Sequence, residues 1–221
     1  MNILAIDTST DHLSIAVVRD GRTIAGFHKK ADMRHSVLLI PTIDRLLKRK
    51  RLKLKDIGCF AISIGPGSFT GLRIGVTVVK GLAYSLNKPV VAVPTLDVIT
   101  DNAAAHKGII CPVLDARKKK VYACIYKSDG KTIKRISKYL LLPAEELLNK
   151  LKKYDKVLFL GDTASSPGLA APAGNMVKDW HPRAEVVAAL ALADIKKKRF
   201  TRAEDLEPMY IYSRECDIKG V

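Results

Sequence analysis

Hydrophobic and polar positions follow two periods along this chain, one typical of strands and one typical of helices. Short apolar or alternating runs recur over the first hundred residues, and longer segments with apolar positions at helical spacing lie between the later runs. Strands that alternate with helices predict an α/β fold. The predicted elements are strands at 3–7, 13–19, 23–29, 57–64 and 90–93, and helices at 35–51, 69–86 and about 95–105.

The pattern starts again after Gly108. Residues 109–115 repeat the apolar, aspartate-closed strand at 3–7, and the hairpin turn at 129–133 repeats the one at 20–24. The sequence therefore predicts an internal duplication. We expect an N-terminal subdomain over 1–107 and a reduced second one over 108–221, with the tail from about 200 packed back on the first. The remaining predicted elements are strands at 121–127 and 157–160 and helices at about 144–152 and 184–198; a Pro/Gly/Ala-rich loop covers 162–175.

Two of the predicted helices carry more apolar surface than one sheet can cover. In helix 69–86 the only charged residues are Arg73 and Lys80, and helix 35–51 has four consecutive apolar residues at 37–40. A helix that is apolar nearly all round is buried nearly all round. Either both are crossover helices buried within the monomer, or their outer side meets a second protein. Because two neighbouring helices show the same excess, the sequence favours the interface.

A glycine-rich segment joins the strand at 57–64 to the helix at 69–86. Gly65 and Gly67 flank a proline and predict a tight turn. Gly71 and Gly75 fall inside the helix, where each is less favourable than alanine by roughly 1 kcal/mol. An anion at the helix start or a backbone in close approach would offset this penalty. We interpret Gly71 and Gly75 mainly as space for a partner helix.

Asp7, at the end of the first strand, is a candidate for positioning a magnesium–phosphate group together with the hydroxyls that follow it. The alternative is that these groups only organise a turn. The glycine spacing matches neither a Walker A loop nor a dinucleotide-binding fingerprint. The candidate nucleotide- or phosphate-contacting residues are Asp7, Thr8, Ser9, Gly65, Gly67 and Ser68.

The histidines and cysteines show no spacing typical of a metal site or a redox pair. None of the five histidines falls in an HxxxH or HExxH pattern, and the four cysteines are scattered. We therefore predict no metal site, no self-sufficient catalytic constellation, and free thiols in a reducing cytoplasm. The early charge at Asp7 argues against a signal peptide. No apolar run approaches the roughly 20 residues that span a bilayer.

The formal net charge of +16 suits a polyanionic partner such as RNA. The alternative is a solvated, lysine-rich surface. Aromatic residues make up only 6 % and do not alternate with the basic runs, so a base-stacking platform is not predicted.

Taken together, the motifs resemble the bacterial TsaB (YeaZ) family. The glycine motif is the most specific of them, and the resemblance weakens over about 130–200. The matching segments are Ile3-Leu4-Ala5-Ile6-Asp7-Thr8-Ser9-Thr10, His35-Ser36-x-x-Leu39, the sequence Gly-Pro-Gly-Ser-Phe-Thr-Gly-Leu-Arg-Ile-Gly at 65–75, Asp115-Ala116-Arg117 with Val121-Tyr122, and Glu207-Pro208-Met209-Tyr210.

The resemblance implies a duplicated actin-like ATPase fold of the ASKHA, ribonuclease H-like class. It also implies a non-catalytic role in making threonylcarbamoyladenosine (t6A) in tRNA, beside the catalytic paralogue TsaD and the ATPase TsaE. Family members pair through the first two long helices and self-associate by the same surface. No cofactor of its own is implied, and ATP or ADP would bind at the complex interface. The implied interface residues are His35, Leu38, Leu39, Thr70, Gly71, Arg73, Ile74, Gly75 and Val78.

The chain also departs from the family pattern. Where TsaD-type relatives carry two metal-binding histidines one helical turn apart, His35 is followed by Leu39. Lys120 stands where the family often has glutamate, so Arg117, Lys118, Lys119 and Lys120 form a candidate tRNA-facing segment. The competing hypothesis is a self-standing, ATP-dependent, kinase-like enzyme that uses Asp7. A peptidase is disfavoured because the sequence offers no nucleophile–base pair.

Overall fold

The computed structural model describes residues 1–162, 176–177 and 179–211. The chain divides into two compact units. The first comprises Met1–Val98 and His181–Met209, and the second comprises Ile99–Trp180 and residues from Tyr210 onward. The loop predicted at 162–175 lies almost wholly outside the described residues. Cys216 also lies outside them.

The first unit is built on a five-stranded sheet with the order β3-β2-β1-β4-β5. A hairpin joins β2 to β3, and β1 pairs antiparallel with β2 and parallel with β4. Crossover helices connect β3 to β4 and β4 to β5. The elements are β1 (Asn2–Asp7), β2 (His12–Arg19), β3 (Arg22–Lys30), α1 (His35–Arg49), β4 (Ile57–Gly65), α2 (Phe69–Leu86), β5 (Val90–Pro94) and α3 (Thr95–Asp101).

Both faces of this sheet are covered by helices. Along β1, Leu4 and Ile6 pack under α1 and α2, whereas Ile3 and Ala5 face a further helix at Ala184–Lys196. The sequence predicts that last helix as part of the second half, but it packs on the first sheet. The physical reason is that the central strands are apolar on both faces and need a helix on each side.

The second unit contains a sheet with the path β10-β7-β6-β11-β12, which repeats the order of the first. The predicted duplication is therefore confirmed at the level of topology. The strand predicted at 121–127 is two strands, because β6 pairs with β7 near one end and with β8 near the other. The elements are β6 (Lys107–Asp115), β7 (Lys120–Ala123), β8 (Tyr126–Asp129), β9 (Ile133–Arg135), β10 (Leu140–Pro143), α4 (Ala144–Leu151), β11 (Val157–Gly161) and β12 (Met176–Val177); the last helix of the chain is α5 (Ala184–Lys196).

The described part of the tail runs back along the first unit. The Thr201 amide donates to the Val90 carbonyl at 2.8 Å, and the Met209 amide donates to the Ile64 carbonyl at 2.7 Å. Leu206 is buried in the core beneath α1 and α2. Among the described helices, none has the length and apolar character needed to cross a membrane.

Candidate functional site

The glycines of the motif lie against the turn that follows β1 in the same chain. A Cβ on Gly71 would stand 2.1 Å from the Thr8 carbonyl oxygen, and a Cβ on Gly75 would stand 2.2 Å from Thr8 Oγ1. A Cβ on Gly67 would stand 2.2 Å from the carbonyl oxygen of Ser9. Such distances are far below van der Waals contact, so only glycine permits this approach of α2 to the turn.

This contact corrects the interpretation of Gly71 and Gly75 as space for a partner helix. Both are buried, and Thr8 occupies the position that the sequence assigned to the partner. Gly81, also in α2, is different. It is exposed, and apart from its chain neighbours and the nearby backbone of α2 itself, no described atom lies within 4 Å of a Cβ built on it. The close approach that the glycine spacing predicts is therefore real, but it is internal.

Hydrogen bonds close the same junction. The Thr8 hydroxyl donates to the Gly71 carbonyl at 2.7 Å, and the Ser68 amide donates to the Ser9 carbonyl at 2.7 Å. Ser68 Oγ accepts from the Gly71 amide at 3.3 Å and so caps α2 at its N-terminus. Two amides at the start of α2 thus donate to acceptors in the chain itself, whereas a phosphate cradle would present them to a ligand.

Asp7 is fully buried beside this junction. Its Oδ1 accepts from the amide and the hydroxyl of Ser9, each at 2.9 Å. Neither Asp7 Oδ2 nor Ser63 Oγ makes a hydrogen bond among the described residues, although both are buried. Burial raises the pKa of Asp7 to about 6, and the nearby Ser63 hydroxyl and the groups of Ser9 oppose that rise only in part.

The structure thus brings the candidate phosphate-contacting residues together but encloses most of them. Asp7, Thr8 and Ser9 are buried, whereas Ser68 is exposed. Their polar groups bind one another, which fits the alternative that they organise the turn. The carboxyl group of Asp7 is the exception, because one of its oxygens stays without a partner among the described residues.

The candidate interface residues divide by exposure. Thr70 and Arg73 are exposed on α2, and Leu38, Ile74 and Val78 are half-buried. The other four are buried within the unit: His35, Leu39, Gly71 and Gly75. His35 Nε2 lies 3.2 Å from the His12 carbonyl oxygen, and Leu39 packs in the core.

Several large apolar side chains are exposed around α1 and α2. Val37 and Ile40 belong to the apolar run that the sequence singled out at 37–40, whereas Met33, Phe69 and Tyr84 were missed. Arg73 lies over the ring of Phe69, with 3.7 Å between the guanidinium carbon and the ring centroid. An apolar groove of about 740 Å³ includes Ile40, Ile43, Leu47 and Leu82 in its lining. The exposed apolar residues are Met33, Val37, Ile40, Phe69 and Tyr84.

The candidate tRNA-facing segment is a tight turn between β6 and β7. Arg117, Lys118 and Lys119 are exposed and have φ angles of 66°, 50° and 61°, so three consecutive residues adopt the left-handed conformation. This conformation is unfavourable for residues with a Cβ and is often found at functional sites. Asp115 Oδ1 accepts from the Arg117 amide at 2.9 Å and supports the turn.

Comparison with known proteins places this geometry in a family. The family model for TsaD, tRNA N6-adenosine threonylcarbamoyltransferase, matches residues 27–199. A TsaB protein of Bacillus subtilis (strain 168), named as a tRNA threonylcarbamoyladenosine biosynthesis protein, is 32% identical over 100% of this chain and 98% of its own. The TsaB protein of Escherichia coli (strain K12) is 30% identical, over 96% of this chain and 94% of its own.

A solved structure agrees with these relatives. YeaZ from Pseudomonas aeruginosa superposes with a TM-score of 0.83 at 26% identity and covers 95% of this chain and 99% of its own. The predicted α/β fold, a duplicated actin-like arrangement, is confirmed. The internal glycine contact, the repeated sheet order and the full-length relatives lead to one conclusion: the chain belongs to the TsaB (YeaZ) family.

Proposed function

We propose that this chain is a non-catalytic subunit in the t6A modification of tRNA, and that it pairs with a TsaD-type catalytic subunit through the exposed side of α1 and α2. The ATPase TsaE joins this pair. Alone, the chain forms a homodimer by the same surface. It needs no cofactor of its own, ATP or ADP binds at the interface of the complex, and the protein acts in the cytoplasm.

One observation carries the pairing surface. The exposed Ile40 of α1 lines an apolar groove together with the half-buried Leu82 of α2, and exposed apolar surface of this kind is typical of protein interfaces. Arg73 and Phe69 stack within this surface, and aromatic and arginine residues are enriched among those that dominate binding energy. The buried residues His35, Leu39, Gly71 and Gly75 act indirectly in this proposal, by fixing the two helices on the sheet.

The non-catalytic role is supported by what the enclosed residues do. Asp7, Thr8 and Ser9 bind one another and α2, so they hold the junction rather than face a substrate. His35 binds a backbone carbonyl. The full-length TsaB relatives are named as t6A biosynthesis proteins. The name of an enzyme, threonylcarbamoyltransferase, belongs to the TsaD family model that the chain also matches.

Replacing Ile40 with lysine is expected to weaken pairing with TsaD at least tenfold, because the partner would bury an unpaired charge. The measurement is calorimetry of the two chains, followed by t6A formation with TsaD, TsaE, tRNA and the activated threonylcarbamoyl donor. The free chain should keep its stability, since Ile40 is 48% exposed and substitutions at exposed positions usually change stability by no more than about 0.5 kcal/mol.

Ile136→Lys is the matched control, because Ile136 is 42% exposed and lies in the second unit. It should pair and support modification like the wild type. Full t6A formation without this chain would refute the proposed function. Equal affinity of the two variants for TsaD would refute the surface while leaving the function standing.

Changing Lys118, Lys119 and Lys120 to glutamate is expected to weaken tRNA binding by the complex at low salt. Each lost phosphate contact should also make the plot of log affinity against log salt shallower by about 1. A filter-binding series over salt concentration measures both effects. Lys196, Lys197 and Lys198 changed to glutamate provide a control of equal charge at an exposed site in the first unit. If both triple variants lose affinity equally, only the general charge matters and the segment is not a contact.

A further inference from the structure

Three metal-binding side chains from separate parts of the chain meet at one edge of the first unit. Asp11 and His12 lie at the turn between β1 and β2, and His181 lies just before α5. Asp11 Oδ1 is 2.9 Å from His12 Nδ1 and 3.4 Å from His181 Nε2. One ligand atom from each of the three side chains lies within 4.8 Å of the other two.

These distances fit a small divalent ion with nitrogen and oxygen ligands. Ligands about 2.0–2.1 Å from a tetrahedral zinc ion lie roughly 3.3 Å from one another. The separation of Asp11 Oδ1 and His181 Nε2 is close to this value, and that of Asp11 Oδ1 and His12 Nδ1 requires a shift of a few tenths of an ångström. The rings of His12 and His181, whose centroids lie 3.7 Å apart, must also spread for both nitrogens to face one ion. Two imidazoles and one carboxylate favour zinc and its neighbours over magnesium or calcium, which prefer oxygen ligands alone.

The turn that carries two of the ligands is held in place by the fold. Thr10 Oγ1 accepts from the His12 amide at 3.2 Å, and the Ala31 amide donates to the Asp11 carbonyl at 2.8 Å. His35 Nε2 lies 3.2 Å from the His12 carbonyl oxygen. Such backbone contacts keep ligands near the geometry that a metal requires before it arrives.

The side chains are also packed against one another. The rings of His12 and His181 lie 3.7 Å apart between centroids, and His28 stacks on the ring of His12 with 5.2 Å between centroids. The side chains of His12 and His181 are 19% and 20% exposed, whereas Asp11 is 48% exposed. A metal ion can therefore enter from the side of Asp11 and keep a water molecule as its fourth ligand.

We propose that Asp11, His12 and His181 bind a divalent transition metal of the zinc class, which fastens the segment before α5 to the turn between β1 and β2. The sequence predicts no metal site because its histidines show no short metal-binding spacing, whereas this set joins distant parts of the chain. Its ligands are not His35 and Leu39, where the metal-binding histidines of TsaD-type relatives would align, although His35 contacts the backbone of His12. One charge opposes the ion: Lys30 Nζ lies 3.6 Å from Asp11 Oδ2, which leaves Oδ1 for the metal.

The test is a titration of the full, untagged chain with zinc sulfate. A chromophoric chelator competes with the protein for the zinc and reports how much is bound. We expect one zinc ion per chain with micromolar affinity, at least tenfold weaker binding in His12→Ala and in His181→Ala, and unchanged binding in His106→Ala. His106 lies in the second unit and serves as the matched control. Zinc should raise the Tm of the wild type and not that of His181→Ala, because a ligand bound only to the folded state stabilises it.

Two further arms keep the proposal falsifiable if a histidine variant fails to fold. Lys30→Met removes the opposing charge and is expected to tighten zinc binding about threefold. Cobalt in place of zinc should give a visible d–d spectrum without a thiolate charge-transfer band. The Cys216→Ser variant should give the same spectrum. The proposal is overturned if the wild type binds no zinc at 100-fold excess, if His12→Ala and His181→Ala bind like His106→Ala, or if Cys216→Ser abolishes binding.

Discussion

Gly71→Ala is expected to lower the free energy of unfolding by about 3 kcal/mol, the upper range for overpacking a tight contact. The added methyl group would lie 2.1 Å from the Thr8 carbonyl oxygen, a backbone atom in the turn that follows β1. Relief requires that α2 move away from the sheet, which would also break the hydrogen bond from Thr8 Oγ1 to the Gly71 carbonyl. Urea denaturation followed by circular dichroism measures the loss.

Gly81→Ala is the matched control in the same helix. Apart from its chain neighbours and the nearby backbone of α2, its methyl group meets no described atom within 4 Å, so the free energy of unfolding should rise by up to about 1 kcal/mol from helix propensity alone. Equal effects of the two substitutions would contradict the internal contact and restore the partner-helix interpretation. Gly81→Ala in the pairing assay also tests whether a partner approaches α2 closely at its exposed glycine.

The sequence predicted most of the first unit because local signals and tertiary contacts agree there. Alternating and apolar runs place β1 to β5 within one or two residues of their observed bounds, and Ser68 caps α2 where the glycine turn ends. The helix α3 is shorter than predicted, ending at Asp101. Its apolar pattern continues into residues that form turns, and periodicity alone does not mark that end.

The partner of a close contact is what sequence reasoning could not supply. The penalty of Gly71 and Gly75 in a helix is visible in the sequence, but the atom that requires them belongs to Thr8, more than sixty residues earlier. The same limit applies to α5, whose packing on the first sheet depends on the second apolar face of β1. It applies again to His181, which meets Asp11 only through the position of α5.

Asp7→Asn is expected to stabilise the protein at pH 7.5, by up to about 3 kcal/mol for a pKa raised from 3.8 to about 6. Between these two values the folded state holds a proton that the unfolded state has released. The contribution of Asp7 to stability is therefore complete below about pH 3.8 and is lost as the pH rises through about 6. Asparagine stays neutral at every pH, so its advantage should be complete at pH 7.5 and fall to about 1 kcal/mol at pH 4.5.

The amide also suits the surroundings of Asp7. Its oxygen can accept the two bonds from Ser9, and its nitrogen can donate towards Ser63 Oγ, which binds nothing among the described residues. Asp7→Ala is the contrasting variant, because it leaves the Ser9 amide and hydroxyl without their acceptor and should destabilise at both pH values. Denaturation at pH 4.5 and 7.5 measures all three proteins. Equal stability of the wild type and D7N at pH 7.5 would contradict the raised pKa of the buried carboxyl.

The D7N variant also distinguishes the proposed subunit role from that of a self-standing ATP-dependent enzyme. In the subunit, Asp7 holds a turn, so D7N should support t6A formation in the reconstituted system at close to the wild-type rate. A kinase-like enzyme would need the carboxylate to position the metal of its nucleotide, and D7N should then lose nearly all activity. Because D7N is expected to be more stable than the wild type, a loss of activity could not be attributed to unfolding. Such a loss, with pairing to TsaD intact, would favour the enzyme and would make Asp7 a residue that the chain retains at a cost to its own stability.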